Sequence, residues 1–573
     1  MARIDKGFFE QHVQRVRALA DPERKAVGVA DYMVKNTMIR GKPFSFKGFR
    51  YQRFILDHPA KIKNTRKSAQ CGVSEMQLRE ATALCLIHNG VNCIYVLPTG
   101  AFASTFSGSR LAPIIEGSPT IENAIHPGND SASVKRFRND SFIFMKGGSN
   151  IRQTISVPCD ILVIDERDFF EDDDVLTSFQ TRVTPRGLKI QRQFSTPTVA
   201  GFGISYEFEH SIRHMPLNRC NHCNHWFEAD YFLHVKLPGW RRDIGDINYF
   251  SRQEMTAYDL DSAYLECPKC GRAVDVFSED CWDYVIENPD SNYDAAGFQV
   301  TPFIVGNAVP PGDIIRSAMR FTSRRKFITD TLGLPAEDST TGLSKEECGK
   351  LFTNDVRYPD SPSYQIAGVD LGGACAYLGA FPAADGHLRV MRAEMIPLNQ
   401  MKKRIPEIFA ADRVITSVFD ALPYTDLVLE LQAKIPSLWA AIFTQAKDLE
   451  LYKIKEQEED EAKATFGLRQ LNVKKHQGMD FVVSMIREGQ ISFAPSTFDL
   501  RERLISHLTD MKRLERNLKN GEIGAVWQKS PQGEDHFFHA LLYLVLANCL
   551  KGLAGGLAPL PMIAGKIKTK VDV

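Results

Sequence analysis

Two α/β domains in succession are what this 573-residue sequence predicts. Three observations carry the prediction. RKSAQCGVSE, Arg66 to Glu75, is a glycine-turn loop placed to open a helix. CDILVIDE sets four apolar residues, Ile161 to Ile164, directly before Asp165 and Glu166, the pattern of a buried parallel strand with carboxylates at its end. YQIAGVDLGG is a fresh strand ending at Asp370, so a second sheet begins there.

The loop fits the eight-position frame of a phosphate cradle, G-x-x-x-x-G-K-[ST], with one displacement. Its positions are Lys67, Ser68, Ala69, Gln70, Cys71, Gly72, Val73 and Ser74, so lysine holds the first glycine slot and valine the lysine slot. After it, Leu78, Ala81, Leu84 and Cys85 recur at helical spacing up to Asn89-Gly90. Free N–H groups and the helix dipole favour an anion at such a start. Lys67 has a flexible stem and would reach the phosphates of ATP from the loop's entrance, while Ser74 would supply a hydroxyl to Mg²⁺. On the strand Ile161–Ile164, Asp165 would hold Mg²⁺ through water and Glu166 would orient and deprotonate the attacking water. Each half has a bland reading, a Ser/Gly loop or a core strand with acidic residues at its exposed end. Both in this order, about 90 residues apart, argue for the pair.

Smaller segments fit the same scheme. VNCIYVLPT is another buried strand, and QRQFSTPT a strand ending in Ser195, Thr196 and Pro197, hydroxyl groups suited to coupling near a γ-phosphate. FRYQRFI offers Tyr51 to stack on adenine and Gln52 to hydrogen-bond it, although a core role for Tyr51 is the commoner one. Arg152 is a further candidate phosphate contact.

Bulk composition narrows the class. A hydrophobic content of 43% and charged content of 24% suit a soluble globular protein of two to four domains. Seventy basic residues balance seventy acidic ones, so any nucleic-acid contact must come from local basic surface. No apolar run reaches the roughly 18 residues of a membrane span, and HALLYLVLANCL, His539 to Leu550, reads as a buried helix. The first twenty residues lack a signal peptide's apolar centre.

Of twelve cysteines, four form two C-x-x-C pairs, Cys220 with Cys223 and Cys267 with Cys270, separated by 43 residues. Four thiolates satisfy tetrahedral Zn²⁺ completely, which predicts a closed structural site in a reducing compartment. His222 and His225 are substitute ligands.

In the second half, ACAYLGAFPAADGHLRVMRAEMI reads as two strands around an Asp385-Gly386 turn, RVITSVFD as a strand ending at Asp420, and EDHFFHALLYLVLA as a helix starting at Asp535. Carboxylates ending the first strand, ending a later strand and opening a C-terminal helix match an RNase H-like layout. Two divalent ions about 4 Å apart, held by such oxygens, clamp a scissile phosphate; hard Mg²⁺ or Mn²⁺ requires oxygen ligands. Asp426, Glu534 and His536 are alternative ligands, and V-D-L-G-G also suits a sugar-kinase-like or actin-like ATPase. KIKEQEEDEAKATFG is a charge-dense helix or mobile segment, and MKRLERNLKNG a basic surface helix or DNA contact.

Lysine at the loop's start, then G-x-S, then the apolar run with Asp165-Glu166, then Ser195-Thr196-Pro197, resembles the large subunit of tailed-phage DNA-packaging terminases. The K-S-A-x-x-G-x-S form is most similar to the lambda-type branch, which also carries cysteine pairs between motor and nuclease. FITDTLGLPAED, from Phe327, resembles that family at the exit from the motor. The resemblance implies a helicase-like (RecA) P-loop ATPase with an inserted zinc ribbon, followed by an RNase H-like nuclease, moving double-stranded DNA into a procapsid and cutting it. It also implies a terminase small subunit and the capsid portal as partners, a homo-oligomer on the portal, no membrane, and a place in the host cytoplasm but not in the mature virion. The expected boundaries are 1–48 for an N-terminal helical region contacting the small subunit, 49–345 for the ATPase with its insert at about 216–290, 346–363 for a linker including YPDSPS, 364–550 for the endonuclease, and 551–573 for a flexible tail. The rival readings are a cellular helicase or translocase fused to a nuclease, and a non-catalytic zinc-containing assembly protein.

Overall fold

The computed structural model describes residues 28–149, 157–184, 187–245, 256–305, 309–321, 323–337, 340–355, 359, 362–444, 451–455, 469–517 and 523–554. Arg152, half of YPDSPS, most of KIKEQEEDEAKATFG, the first 27 residues and the tail from 555 lie outside them. The chain divides into two units, 1–337 with 515–524, and 338–514 with 525–573.

In the first unit the elements that carry the argument are β1 (Ile62–Lys67), α1 (Val73–Ile87), β2 (Asn92–Leu97), β3 (Phe142–Gly147), β4 (Ile161–Asp165), β5 (Ile190–Ser195), β6 (Ile212–Arg219) and β7 (Ala295–Val300). These strands form the parallel centre of one sheet in the order β6-β7-β1-β5-β4-β2-β3, with antiparallel strands at both edges. β4 is buried along its whole length, as its run of apolar residues requires of a parallel strand covered on both faces.

β1 breaks that rule of composition. Its sequence IKNTRK is polar, yet Lys63 to Lys67 are all buried. Burial without partners would cost several kcal/mol per group, and the partners are present. The Lys63 ammonium donates to the carbonyls of Ile55 (2.6 Å) and Leu56 (3.0 Å), the Asn64 amide to Ser211 Oγ (3.0 Å), and the Arg66 Nε to Gln299. A buried ion pair then ties α1 to β5: Arg192 Nη2 lies 2.7 Å from Glu80 Oε1, and its Nε donates to both carboxylate oxygens at 3.0 Å.

In the second unit, β8 (Gln365–Leu371), β9 (Cys375–Pro382), β10 (Leu388–Ile396), β11 (Val414–Asp420), β12 (Leu438–Phe443), β13 (Gln470–Val473) and β14 (Ile491–Phe493) lie in the order β13-β12-β11-β8-β9-β10-β14. β8, β9 and β10 are an antiparallel meander, whereas β11 lies parallel to β8 on its other side. Helix α2 (His536–Ala554) covers β8, and Gly368 is what admits it. A Cβ there would stand 2.2 Å from the Ala540 carbonyl oxygen and 2.2 Å from the Leu544 nitrogen.

One expectation is corrected. MKRLERNLKNG begins as a strand, Met511–Asn517, paired with Ile523–Lys529, and is not a surface helix. Leu514 and Arg516 are buried while Arg513 is exposed, a period of two that a strand satisfies and a helix does not.

Candidate nucleotide, metal and nuclease sites

The carboxyl ends of β1, β5 and β4 are neighbours, so Lys67, Ser195, Asp165 and Glu166 meet. Lys67 Nζ is 3.1 Å from Glu166 Oε1. Ser74 Oγ, on the first turn of α1, donates to Asp165 Oδ1 at 3.3 Å, and Ser195 Oγ to Glu166 Oε2 at 3.4 Å. Burial alone would drive the Lys67 ammonium toward neutrality, but Glu166, with Cys71 and Asp165, outweighs it and holds the charge. Burial, with the repulsion of Glu166, pushes the Asp165 carboxyl up to about 7 against the opposing pull of Lys67, Tyr95 and Ser74. A divalent cation would reverse that push.

The loop between β1 and α1 is shaped by Gln70 (φ 58°) and Gly72 (φ 82°), both left-handed. Gly72 begins α1, and no side chain caps it. That leaves the helix start available to an anion. Ser68, Cys71 and Val73 are buried within the loop, and Thr196 follows Ser195 in a buried position.

The adenine reading of Tyr51 is corrected. Its ring has no exposed surface, and its hydroxyl donates to the Cys71 carbonyl, so no face is open to a base. Gln52 donates to the Gly72 carbonyl at 3.2 Å. Both residues therefore brace the loop from behind.

Two participants escaped the sequence reading. Tyr95, on β2, donates to Asp165 Oδ2 at 2.7 Å, and nothing in VNCIYVLPT distinguished it from a core aromatic. Asp168 is wholly buried and accepts from the Thr198 N–H and hydroxyl (both 2.8 Å) and from the Ile204 N–H (2.6 Å). The acidic periodicity of D-E-R-D was the available signal.

The four cysteines sit on two turns of the same design. Cys220 N donates to the His225 carbonyl and Cys267 N to that of Arg272, each at 2.9 Å, five residues on. Asn224 and Gly271 return a bond to the two first cysteines and share a positive φ, 55° and 70°. All four sulfurs lie within 4.8 Å of one another, and the Cys220–Cys270 and Cys223–Cys267 pairs are 3.7 Å apart. A tetrahedron with Zn–S bonds of 2.3 Å has edges of about 3.8 Å, so the donor set fits zinc. His222 and His225 are not in this group.

In the second unit, β8 and β11 pair in parallel with Val369 opposite Phe419, so Asp370 and Asp420 come next on adjacent strands and share a face. Gly368, two residues before Asp370, is on that same face, where α2 docks. The docking brings Asp535 and His536 to the carboxylates: His536 Nδ1 is 2.8 Å from Asp370 Oδ2. Burial, with the charge of Asp370, pushes Asp420 up to about 7 despite the Leu422 N–H that donates to it. Buried Tyr543 has its phenol raised by burial first, and then by the charges of Asp420, Asp370 and Asp535. Carboxylate oxygens such as these are the donors that Mg²⁺ or Mn²⁺ takes. Of the alternatives, Glu534 is engaged by His507 (2.7 Å) and Arg503 (3.0 Å), Asp426 stands in the first turn of Thr425–Lys434, and His536 touches Asp370 itself.

A glycine-turn loop opening a helix beside a strand that ends in carboxylates, at the carboxyl edge of a parallel sheet, is the layout of a P-loop ATPase. Residues 58–280 match the family model for the phage terminase large subunit gpA, ATPase domain. Among solved structures, the HK97 bacteriophage large terminase is 13% identical, with 91% of this chain and all of that chain covered at a TM-score of 0.47. A large terminase from a thermophilic bacteriophage is 10% identical over 88% of this chain and 98% of its own, TM-score 0.31. The large terminase nuclease of thermophilic phage G20c, with bound magnesium, is 11% identical over 37% of this chain and 98% of its own, TM-score 0.25. No curated protein matches the chain.

Proposed function

We propose that the chain is the two-enzyme subunit of a viral packaging machine: its first unit hydrolyses ATP to drive double-stranded DNA into a procapsid, and its second unit cuts concatemeric DNA. The observation that carries the motor is the meeting of Lys67 with Glu166 and of Ser74 with Asp165 at neighbouring strand ends. Lys67 and the N–H groups of Gln70 to Ser74 take the phosphates, with Gln52 bracing the loop from behind. Ser74 and Asp165 would hold Mg²⁺, which draws charge from the phosphates. Glu166 takes a proton from the attacking water, and Ser195 and Thr196 couple the loss of the γ-phosphate to motion.

The nuclease reading is of an RNase H-like domain, supported by the antiparallel meander flanked by a parallel strand, by Asp370 and Asp420 on adjacent strands, and by the contact of His536 with Asp370. Asp370, Asp420 and Asp535 would hold Mg²⁺ or Mn²⁺, which supply the activated water and stabilise the leaving oxygen. Cys220, Cys223, Cys267 and Cys270 would hold a structural Zn²⁺ in a ribbon inserted in the ATPase. The small subunit, the portal and further copies of the chain are the proposed partners, in the host cytoplasm, and the lambda-like branch the proposed lineage.

The test is ATP-dependent filling of procapsids with linear duplex, scored by protection of the DNA from added nuclease. Protection with wild type and none with Lys67→Ala or Glu166→Ala supports the reading. Strand separation without protection favours a helicase, and absent ATP turnover favours an assembly protein.

A further inference from the structure

The segment Phe327 to Ala336 has no part in the chemistry above, yet it closes on the phosphate loop. It begins as the turn Phe327–Leu332, with Phe327 and Leu332 buried. The Asp330 carbonyl accepts the Ala69 N–H at 2.7 Å, and the Val300 carbonyl accepts that of Ser68 at 2.9 Å. The entrance half of the loop is thereby fixed by protein carbonyls. Gly333 follows at φ 68°, and its α-carbon lies flat against the loop. A Cβ there would stand 2.5 Å from Ser68 N, 2.7 Å from the Lys67 carbonyl carbon and 3.0 Å from its oxygen. The Gly333 carbonyl is held in turn by Gln299 Nε2 at 2.8 Å, and Ala336 N donates to the Thr198 carbonyl at 3.1 Å.

In the usual frame a glycine at the first position leaves room beside the loop's entrance. Here Lys67 fills that position. We infer that Gly333 supplies the missing room from a distant part of the chain and is a positioning residue for the phosphate loop, setting Lys67 and the loop's N–H groups on the nucleotide. The segment also reaches Thr198, three residues beyond Ser195, so one strap spans both sides of the proposed nucleotide site. The inference rests on the ATPase reading.

The test compares Gly333→Ala with Gly90→Ala. Gly90 has the same left-handed backbone, φ 67°, but nothing within 4 Å of an added Cβ, so it reports strain without the clash. Binding of a fluorescent ATP analogue with Mg²⁺ is measured on the full chain, alongside thermal unfolding. Gly333→Ala is expected to weaken binding about tenfold or more, since displacements near 1 Å carry penalties of that order, while Gly90→Ala leaves affinity unchanged. Unchanged affinity in folded Gly333→Ala overturns the inference. Should that variant fail to fold, amide exchange on wild type decides. The same analogue must slow exchange across 327–336 and must not do so in Lys67→Ala; no slowing in wild type overturns the inference. Wild type that binds no nucleotide at all would instead overturn the ATPase reading.

Discussion

Lys67 Nζ and Glu166 Oε1, 99 residues apart in sequence, stand 3.1 Å apart at the ends of two strands separated by one other. The pair joins the cation meant for phosphate to the carboxylate meant for water. A phosphate that draws Lys67 away leaves Glu166 free to act as base, so binding and activation are linked through one contact. Replacing Lys67 with Ala should weaken ATP binding and lower turnover by about 100-fold or more, whereas Glu166→Gln should retain binding and lose turnover on a similar scale. Equilibrium nucleotide binding beside steady-state hydrolysis separates the two outcomes.

The Arg192–Glu80 pair predicts a stability effect distinct from catalysis. Both side chains are almost fully buried, 6% and 3% exposed. Glu80→Ala strands the guanidinium and should cost about 3–5 kcal/mol, read by denaturant unfolding of the first unit.

For the cysteine cluster the expected content is about one Zn²⁺ per chain by elemental analysis. Cys220→Ser or Cys267→Ser should lose the metal and lower the melting temperature, because metal binding there is folding free energy. Metal-free wild type of unchanged stability would contradict the assignment.

Asp370→Asn should abolish Mg²⁺- or Mn²⁺-dependent cutting of duplex DNA and leave ATP hydrolysis intact. Gel assays of cutting run beside ATPase rates check both halves.

What was legible in the sequence follows from burial chemistry. β4 and α2 announce themselves because an element covered on all sides must be apolar. β1 does not, since its buried Lys63, Asn64 and Arg66 are satisfied by partners scattered between Ile55 and Gln299, which no local pattern reveals. Sequence leaves Tyr51 between a core role and an adenine contact for the same reason: an aromatic that braces a loop and one that stacks on a base are spelled alike. The order of Asp370, Asp420 and Asp535 was readable, but the contact of His536 with Asp370 depends on how closely Gly368 lets α2 approach. The cysteine spacing was readable because its two turns are local.

The most direct measurement is a structure of the chain with an ATP analogue and Mg²⁺. The account predicts Lys67 Nζ within hydrogen-bonding distance of the β- and γ-phosphate oxygens, with Glu166 released toward a water. Phosphates bound while Lys67 stays on Glu166, or points away from them, would contradict it.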